Sequence, residues 1–269
     1  MRCGVVIFMP AEGTTRLFYN EIASTVASNG YTVVTIDDAY VVDVVQYLDG
    51  SLEFLNQTLW NNPDLVALRE LALVTIQSLV EDVSFVLDSL SNATLAHSLV
   101  PNLPPSGLNT THTAMFGHSF GGAAAYSVLQ VDERVLGGLN MDGGLFGPGL
   151  LNVTNKPFMF VANMSRYDVD PYHTWTDGWS SLQGWKRNII VAETFHYDWS
   201  DYPIVFETLG ITPEGAVAAG LLVGPMKGTR ALQITTTYVS AFLDFVFHGR
   251  CSSLLDGHVS EFPEVTFQY

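Results

Sequence analysis

The segment Thr113-Ala114-Met115-Phe116-Gly117-His118-Ser119-Phe120-Gly121-Gly122 constrains the chain more than any other. An apolar, strand-like run enters Gly-x-Ser-x-Gly, and the small residues Ala123-Ala124-Ala125 open a helix behind it. This is the pattern of a nucleophile elbow, a sharp strand-to-helix turn that raises a serine hydroxyl above a sheet edge. Gly117 and Gly121 stand where a Cβ would collide with the neighbouring element. Ser119 occupies the apex, with a helix N-terminus beneath it to favour negative charge. A glycine-rich turn without chemistry is the alternative, and the strand before, the helix after and Gly122 argue against it.

An elbow needs a parallel sheet, and the flanking sequence supplies one. Gly4–Met9 and Tyr31–Ile36 read as buried strands around an amphipathic helix over Thr15–Ser28, which Asn29-Gly30 stops. Strand, helix, strand in that order implies parallel pairing with helices on the faces. Asp38–Asn62 reads as a long irregular connection. Its acids Asp37, Asp38 and Asp43 lack a ligand spacing, so a solvated loop is preferred to a metal site. A helix follows from Asn62-Pro63 to about Leu90, with Leu79, Val83, Val86, Leu87 and Leu90 as its packing stripe. Ser91–Thr111, with its prolines, reads as a loop. Val135–Asp142, Lys156–Asn163 and Asn188–Glu193 are the later strands, the last of the sheet being Asn188–Glu193, and Thr229–His248 is the closing helix. No domain boundary or repeat interrupts this order, so residues 1–269 are expected to form a single α/β domain.

Hydrophobic residues are 48% of the chain and charged residues 14%, which excludes a disordered chain. The formal charge of −16 argues against nucleic acid and anionic membrane surfaces as partners. No apolar run is long enough to span a bilayer. Five of the 13 asparagines, Asn56, Asn92, Asn109, Asn152 and Asn163, sit in glycosylation sequons, which leans towards a secreted protein; unmodified sequons remain the alternative. Met1–Phe8 reads as the start of a core strand and not as a signal peptide, so a leader is expected to have been removed. Cys3 and Cys251 leave a disulfide open, but two cysteines alone cannot make a zinc site.

A serine hydroxyl needs a base within hydrogen-bond reach, and the base needs an orienter. In elbow topology these follow as acid, then histidine, each past a strand end. Asp142 and His196 occupy those places. Asp168 and Asp170 compete for the acid, and His173 for the base. The oxyanion donors are expected to be the backbone N–H of Phe120 and of a residue in the Pro10–Gly13 loop. Trp175, Trp179, Tyr197 and Trp199 flank the later loops as candidate substrate contacts, with core packing the equal alternative for each ring. No cofactor or metal is called for.

The elbow resembles that of the plasma-type platelet-activating-factor acetylhydrolases and their microbial α/β-hydrolase relatives. So do Gly30–Asp37, Glu81–Asp88, the Asp142-Gly143 strand end and the spacing of Ser119, Asp142 and His196. The resemblance implies an α/β-hydrolase fold, a mostly parallel central sheet with helices on both faces. It implies Ser119 as nucleophile, Asp142 as acid and His196 as base. It also implies calcium-independent hydrolysis of short or oxidised acyl esters of phospholipids. Bacterial cutinases and polyester hydrolases share a similar core, so a lipid or polyester esterase is the alternative, and a catalytically silent binding module the alternative of another class. Two departures stand out. The oxyanion loop reads Met9-Pro10-Ala11-Glu12-Gly13, which gives the backbone donor to Glu12; its carboxylate is expected to point away and pair with Arg16. The chain also starts almost at the first central strand, so the sheet is expected to lack the family's first strands and to leave an edge exposed.

Overall fold

The computed structural model describes residues 4–61, 64–100, 102–103, 105, 107–147, 149–163 and 174–268. Seven strands form one sheet in the order β2-β1-β5-β6-β7-β8-β9. They are β1 (Val5–Met9), β2 (Thr32–Thr35), β5 (Thr113–His118), β6 (Val135–Met141), β7 (Phe158–Asn163), β8 (Lys186–Val191) and β9 (Val265–Gln268). All neighbours pair in parallel except β8 and β9. β3 (Val44–Gln46) and β4 (Leu52–Phe54) make a separate antiparallel hairpin. The helices are α1 (Asn20–Ser28), α2 (Gln57–Trp60), α3 (Leu65–Ser91), α4 (Ala93–Leu99), α5 (Phe120–Val131), α6 (Thr174–Ser181), α7 (Tyr202–Leu209), α8 (Pro213–Ala218) and α9 (Gly228–His248). This is an α/β-hydrolase fold.

Each face of the sheet has its own core, as continuous apolar strands require. On one face Ile7, Met115 and Phe160 pack with Ile76, Val83 and Leu87 of α3 and with the alanines of α5. On the other, Phe8, Phe116 and Val161 pack with Ile22 and Val26 of α1 and with Tyr238, Phe242 and Leu243 of α9. Leu79, Val83, Val86 and Leu87 therefore do the packing the α3 stripe predicts, while Leu90 is half-buried outside this cluster. β1 and β5 are wholly buried because they run through the middle of the sheet. β2 is only half-buried, against expectation, because it is an edge strand with a partner on one side.

Other differences have local causes. α3 is capped by Asp64, whose carboxylate accepts the Val66 and Ala67 N–H groups, while Asn62 and Pro63 lie outside the described residues. The span read as a proline-rich loop holds α4, nucleated where the Asn92 side chain accepts the Leu95 N–H. Asn188–Glu193 is not the last strand: β9 follows, with Val265 opposite Val191 and Phe267 opposite Ile189. Val-Thr-Phe-Gln is too short for its period to signal a strand without a partner in view.

Two buried carboxyl groups set the acid side of the fold. Asp38 shares a hydrogen bond with Asp82 on α3, and burial followed by the Asp82 charge pushes it up to about 7. Burial pushes Asp198 up to about 6 against the pull of two backbone N–H groups. A carboxyl raised in the folded state binds more protons there than in the unfolded chain. Its contribution is complete below the ordinary carboxylate range and is lost as pH climbs through about 6 to 7. The melting midpoint is expected to be higher at about pH 5 than at about pH 8, and Asp38→Asn to flatten that slope. A wild-type midpoint that climbs steadily over this interval contradicts the assignment.

Candidate active site

β5 delivers the elbow. At Ser119 the backbone turns to φ 54° and ψ −118°, a conformation that costs an L-residue energy and persists only where surroundings enforce it. The enforcement is visible. The Ser119 N–H donates to the Met141 carbonyl (2.8 Å), and the Ser119 carbonyl accepts from the Ala123 N–H (3.0 Å). A Cβ on Gly121 would lie 2.1 Å from the Met9 carbonyl oxygen, and one on Gly117 would lie 2.3 Å from the Gly121 carbonyl carbon. Both glycines are therefore required by contact with backbone, which cannot yield as a side chain can.

β6 ends one residue before Asp142, which also takes a positive φ of 57°. Its N–H donates to the Val161 carbonyl (2.8 Å). Asn140 grips the next residue from both sides: Gly143 N–H donates to Asn140 Oδ1 (2.7 Å), and Asn140 Nδ2 donates to the Gly143 carbonyl (3.0 Å). Trp175 Nε1 donates to that same carbonyl (2.5 Å). The Asp142 carboxylate is buried. It accepts from Asn163 Nδ2 (2.7 Å) at Oδ2 and from the Asn163 N–H (3.3 Å) at Oδ1.

The last member arrives on the turn after β8. His196 Nδ1 stands 2.6 Å from Asp142 Oδ2, while the His196 side chain keeps 27% exposure and so remains open to a substrate. Asp198 fastens that turn: its Oδ2 accepts from the Phe195 N–H (2.7 Å) and the Gly224 N–H (2.6 Å). Ser119, Asp142 and His196 thus follow β5, β6 and β8, with β7 lying between the last two. The competitors His173, Asp168 and Asp170 lie outside the described residues.

The N–H groups of Phe120 and Glu12 have no hydrogen-bond partner among the described residues. The Phe120 donor is the first of its helix, where no intrahelical acceptor exists. Glu12 does not pair with Arg16. Arg16 instead binds Asp37 through its N–H and its guanidinium. The Glu12 carboxyl is part-buried on the site side. Burial raises its pKa, the nearby Asp43 charge adds to this, and His196 opposes both.

Of the aromatic candidates only Tyr197 borders His196, edge-on at 5.4 Å. Trp199 is fully buried and Trp175 nearly so, packed against Phe160, so both belong to the core. Trp179 is part-buried under the Lys186 ammonium. The aromatic row beside the Phe120 N–H went unread in the sequence: Trp60 meets the Phe120 ring edge-on at 5.1 Å, and Phe146 lies nearly parallel to it at 6.1 Å. Trp60 fell in a stretch read as loop, and Phe146 has no periodic signal. Asn163, read only as a sequon, is buried with Nδ2 engaged by Asp142, so it is closed to a glycan in the folded chain. Asn56, Asn92 and Asn152 are exposed. Cys251 is exposed, and Cys3 lies outside the described residues. Among the described residues no group of three or more His, Cys, Asp or Glu is placed to hold a metal ion, and no helix is long and apolar enough to cross a membrane.

Comparison with known proteins finds esterases among the similar chains. No family model matches the chain. A curated protein from Arthroderma benhamiae, named "Probable 1-alkyl-2-acetylglycerophosphocholine esterase", is 29% identical over 274 residues, covering 98% of this chain. The chain spans 65% of that relative's length. A ferulic acid esterase from Streptomyces cinnamoneus superposes with a TM-score of 0.82 at 28% identity, over 100% of this chain and 74% of the esterase.

Two measurements test the site geometry without substrate. Gly121→Ala is expected to lower the melting midpoint by about 5–10 °C, since the added methyl must displace backbone. The short His196–Asp142 bond is expected to give a far-downfield imidazole proton by NMR, lost in Asp142→Asn. Its persistence in that variant would place the acid elsewhere.

Proposed function

We propose that this chain is a serine carboxylic-ester hydrolase that works through an acyl-enzyme. The observation that carries the reading is the 2.6 Å bond from His196 Nδ1 to Asp142 Oδ2, formed one strand away from the strained Ser119 apex. Ser119 Oγ attacks the ester carbonyl carbon. His196 Nε2 takes the hydroxyl proton, and Asp142 holds the ring's Nδ1 proton and offsets the imidazolium charge. The carbonyl π pair moves to oxygen, where the Phe120 and Glu12 N–H groups face it as oxyanion donors. Collapse of the adduct expels the alcohol, which leaves with the proton from His196. A water activated by the same imidazole then releases the acid and frees Ser119. None of these steps uses a metal or organic cofactor.

The relative's name points to short acyl groups on a glycerophosphocholine, the substrate class we assign first. A second reading, an aryl or polymeric ester of the ferulate or cutinase-like kind, is favoured by Trp60, Phe120 and Phe146 lined up beside an oxyanion donor. Action outside the cell, with glycans on the exposed Asn56, Asn92 and Asn152 and on the half-buried Asn109, fits the acidic composition and these sequons. The silent binding module draws support only from the Glu12 carboxylate.

Wild type is expected to hydrolyse p-nitrophenyl acetate and to be labelled by a fluorophosphonate. Ser119→Ala is expected to lose both, with kcat down by about 10⁴-fold or more. An unlabelled wild type without turnover would support the binding module instead. A chain-length series, followed by acetyl-glycerophosphocholine against methyl ferulate and a polyester film, separates the substrate classes.

A further inference from the structure

His118 has no task in the acyl transfer, yet it is fully buried in the elbow beside the nucleophile. An apolar side chain would fill that place without the cost of desolvating an imidazole. The ring is instead tied at Nδ1. Tyr19, also fully buried, places its hydroxyl oxygen 2.8 Å from His118 Nδ1. The same oxygen accepts the Ala11 N–H at 3.2 Å. With that lone pair taken, the phenol proton is free to point at His118 Nδ1, which makes Nδ1 the acceptor and leaves the ring proton on Nε2. Nε2 turns toward the His196 backbone but stops short of a full hydrogen bond. The two imidazole rings lie 4.6 Å apart, centroid to centroid, at 47°.

One buried chain therefore runs from Ala11 through Tyr19 and His118 to His196. Its first member adjoins Glu12, the assigned oxyanion donor, and its last is the assigned base. We propose that Tyr19 and His118 are positioning residues that couple the oxyanion loop to the general base through this buried chain. The proposal rests on the ester-hydrolase reading of Ser119 and His196. Two physical features suit His118 to the role. Burial, then the neighbouring His196 charge, hold its pKa well below the usual range, so it stays neutral while His196 takes up a proton. A second cation at this distance would oppose the imidazolium formed at each attack. The ring also gives His196 a rigid wall, and Tyr19 fixes that wall to the loop that must meet the oxyanion, where small displacements are costly.

A double-mutant cycle tests the coupling. Tyr19→Phe removes one oxygen and keeps the packed ring. His118→Phe keeps a ring against His196 and removes the acceptor. Each is expected to lower kcat on p-nitrophenyl acetate about 10-fold with KM within about two-fold of wild type. The double variant is expected to be no slower than the slower single, because the two act as one unit. In a His118→Asn background, which retains an acceptor near Nδ1, Tyr19→Phe is expected to cost activity again. Melting midpoints separate these losses from unfolding. The downfield His196 proton offers a readout without turnover and is expected to shift in Tyr19→Phe. A Tyr19→Phe enzyme with wild-type kcat and an unmoved proton would overturn the coupling. So would a double variant whose loss equals the product of the two singles. A wild type that neither turns over ester nor reacts with the fluorophosphonate sinks the hydrolase reading, and the coupling with it; the other two outcomes sink the coupling alone.

Discussion

Backbone pressed against backbone at Gly121 is the constraint from which the site follows. Only a residue without a side chain lets α5 start so close to the Met9 carbonyl, and the Gly121 N–H uses that closeness to bond the Pro10 carbonyl at 3.2 Å. This one approach joins the first strand's loop to the elbow. The elbow's first helical N–H and the loop's Glu12 N–H are thereby left without a hydrogen-bond partner among the described residues. Strain at Ser119 persists because the strand on one side and the helix on the other leave the apex no alternative. Asp142 shows the same arrangement on the next strand, with positive φ held by Asn140, Val161 and Asn163. The site is a row of strand ends, each forced by its neighbours into a turn it would not choose alone.

The polar groups around it divide into two kinds. Asn163 donates to the acid's carboxylate, and Asn140 fixes the backbone of Gly143 just after it. Tyr19, His118 and Asp198 act on the base and its loop, and all three are buried with little or no contact with solvent. Buried polar groups are costly unless paired, and each of these spends its hydrogen bonds on parts that must not move. The unpartnered His118 Nε2 and Asp198 Oδ1 are exceptions. Both sit within the shell around His196, where perturbed and unsatisfied groups concentrate in enzymes.

The elbow, the parallel order of the first strands and the α3 stripe were legible because each rests on local sequence: glycine spacing, apolar runs and helical period. The meeting of Asp142 with His196 could be expected because elbow topology puts an acid past the strand after the elbow and a histidine past a later one. The rest depended on contacts between residues far apart. Nothing near Asn163 announces that its amide will bond Asp142 and not carry a sugar. Arg16 has a carboxylate within one helical turn, yet it turns to Asp37 across β1 and β2, which its backbone N–H and its guanidinium reach together. Tyr19 and His118 are 99 residues apart. Trp175 and Trp199 looked like substrate walls because they border active-site loops, but tryptophan side chains bury so much area that the core claimed them.

β9 has a consequence for handling the protein. It is a four-residue strand near the carboxyl terminus, antiparallel to β8, and Arg230 of α9 grips Glu264 at its start. If it is trimmed or peeled away, Ile189, Ile190 and Val191 present their open backbone groups to any other chain in solution. Losing it would replace a short edge strand, whose Thr266 and Gln268 are exposed, by the longer and more apolar edge of β8, a seed for fibrillar association.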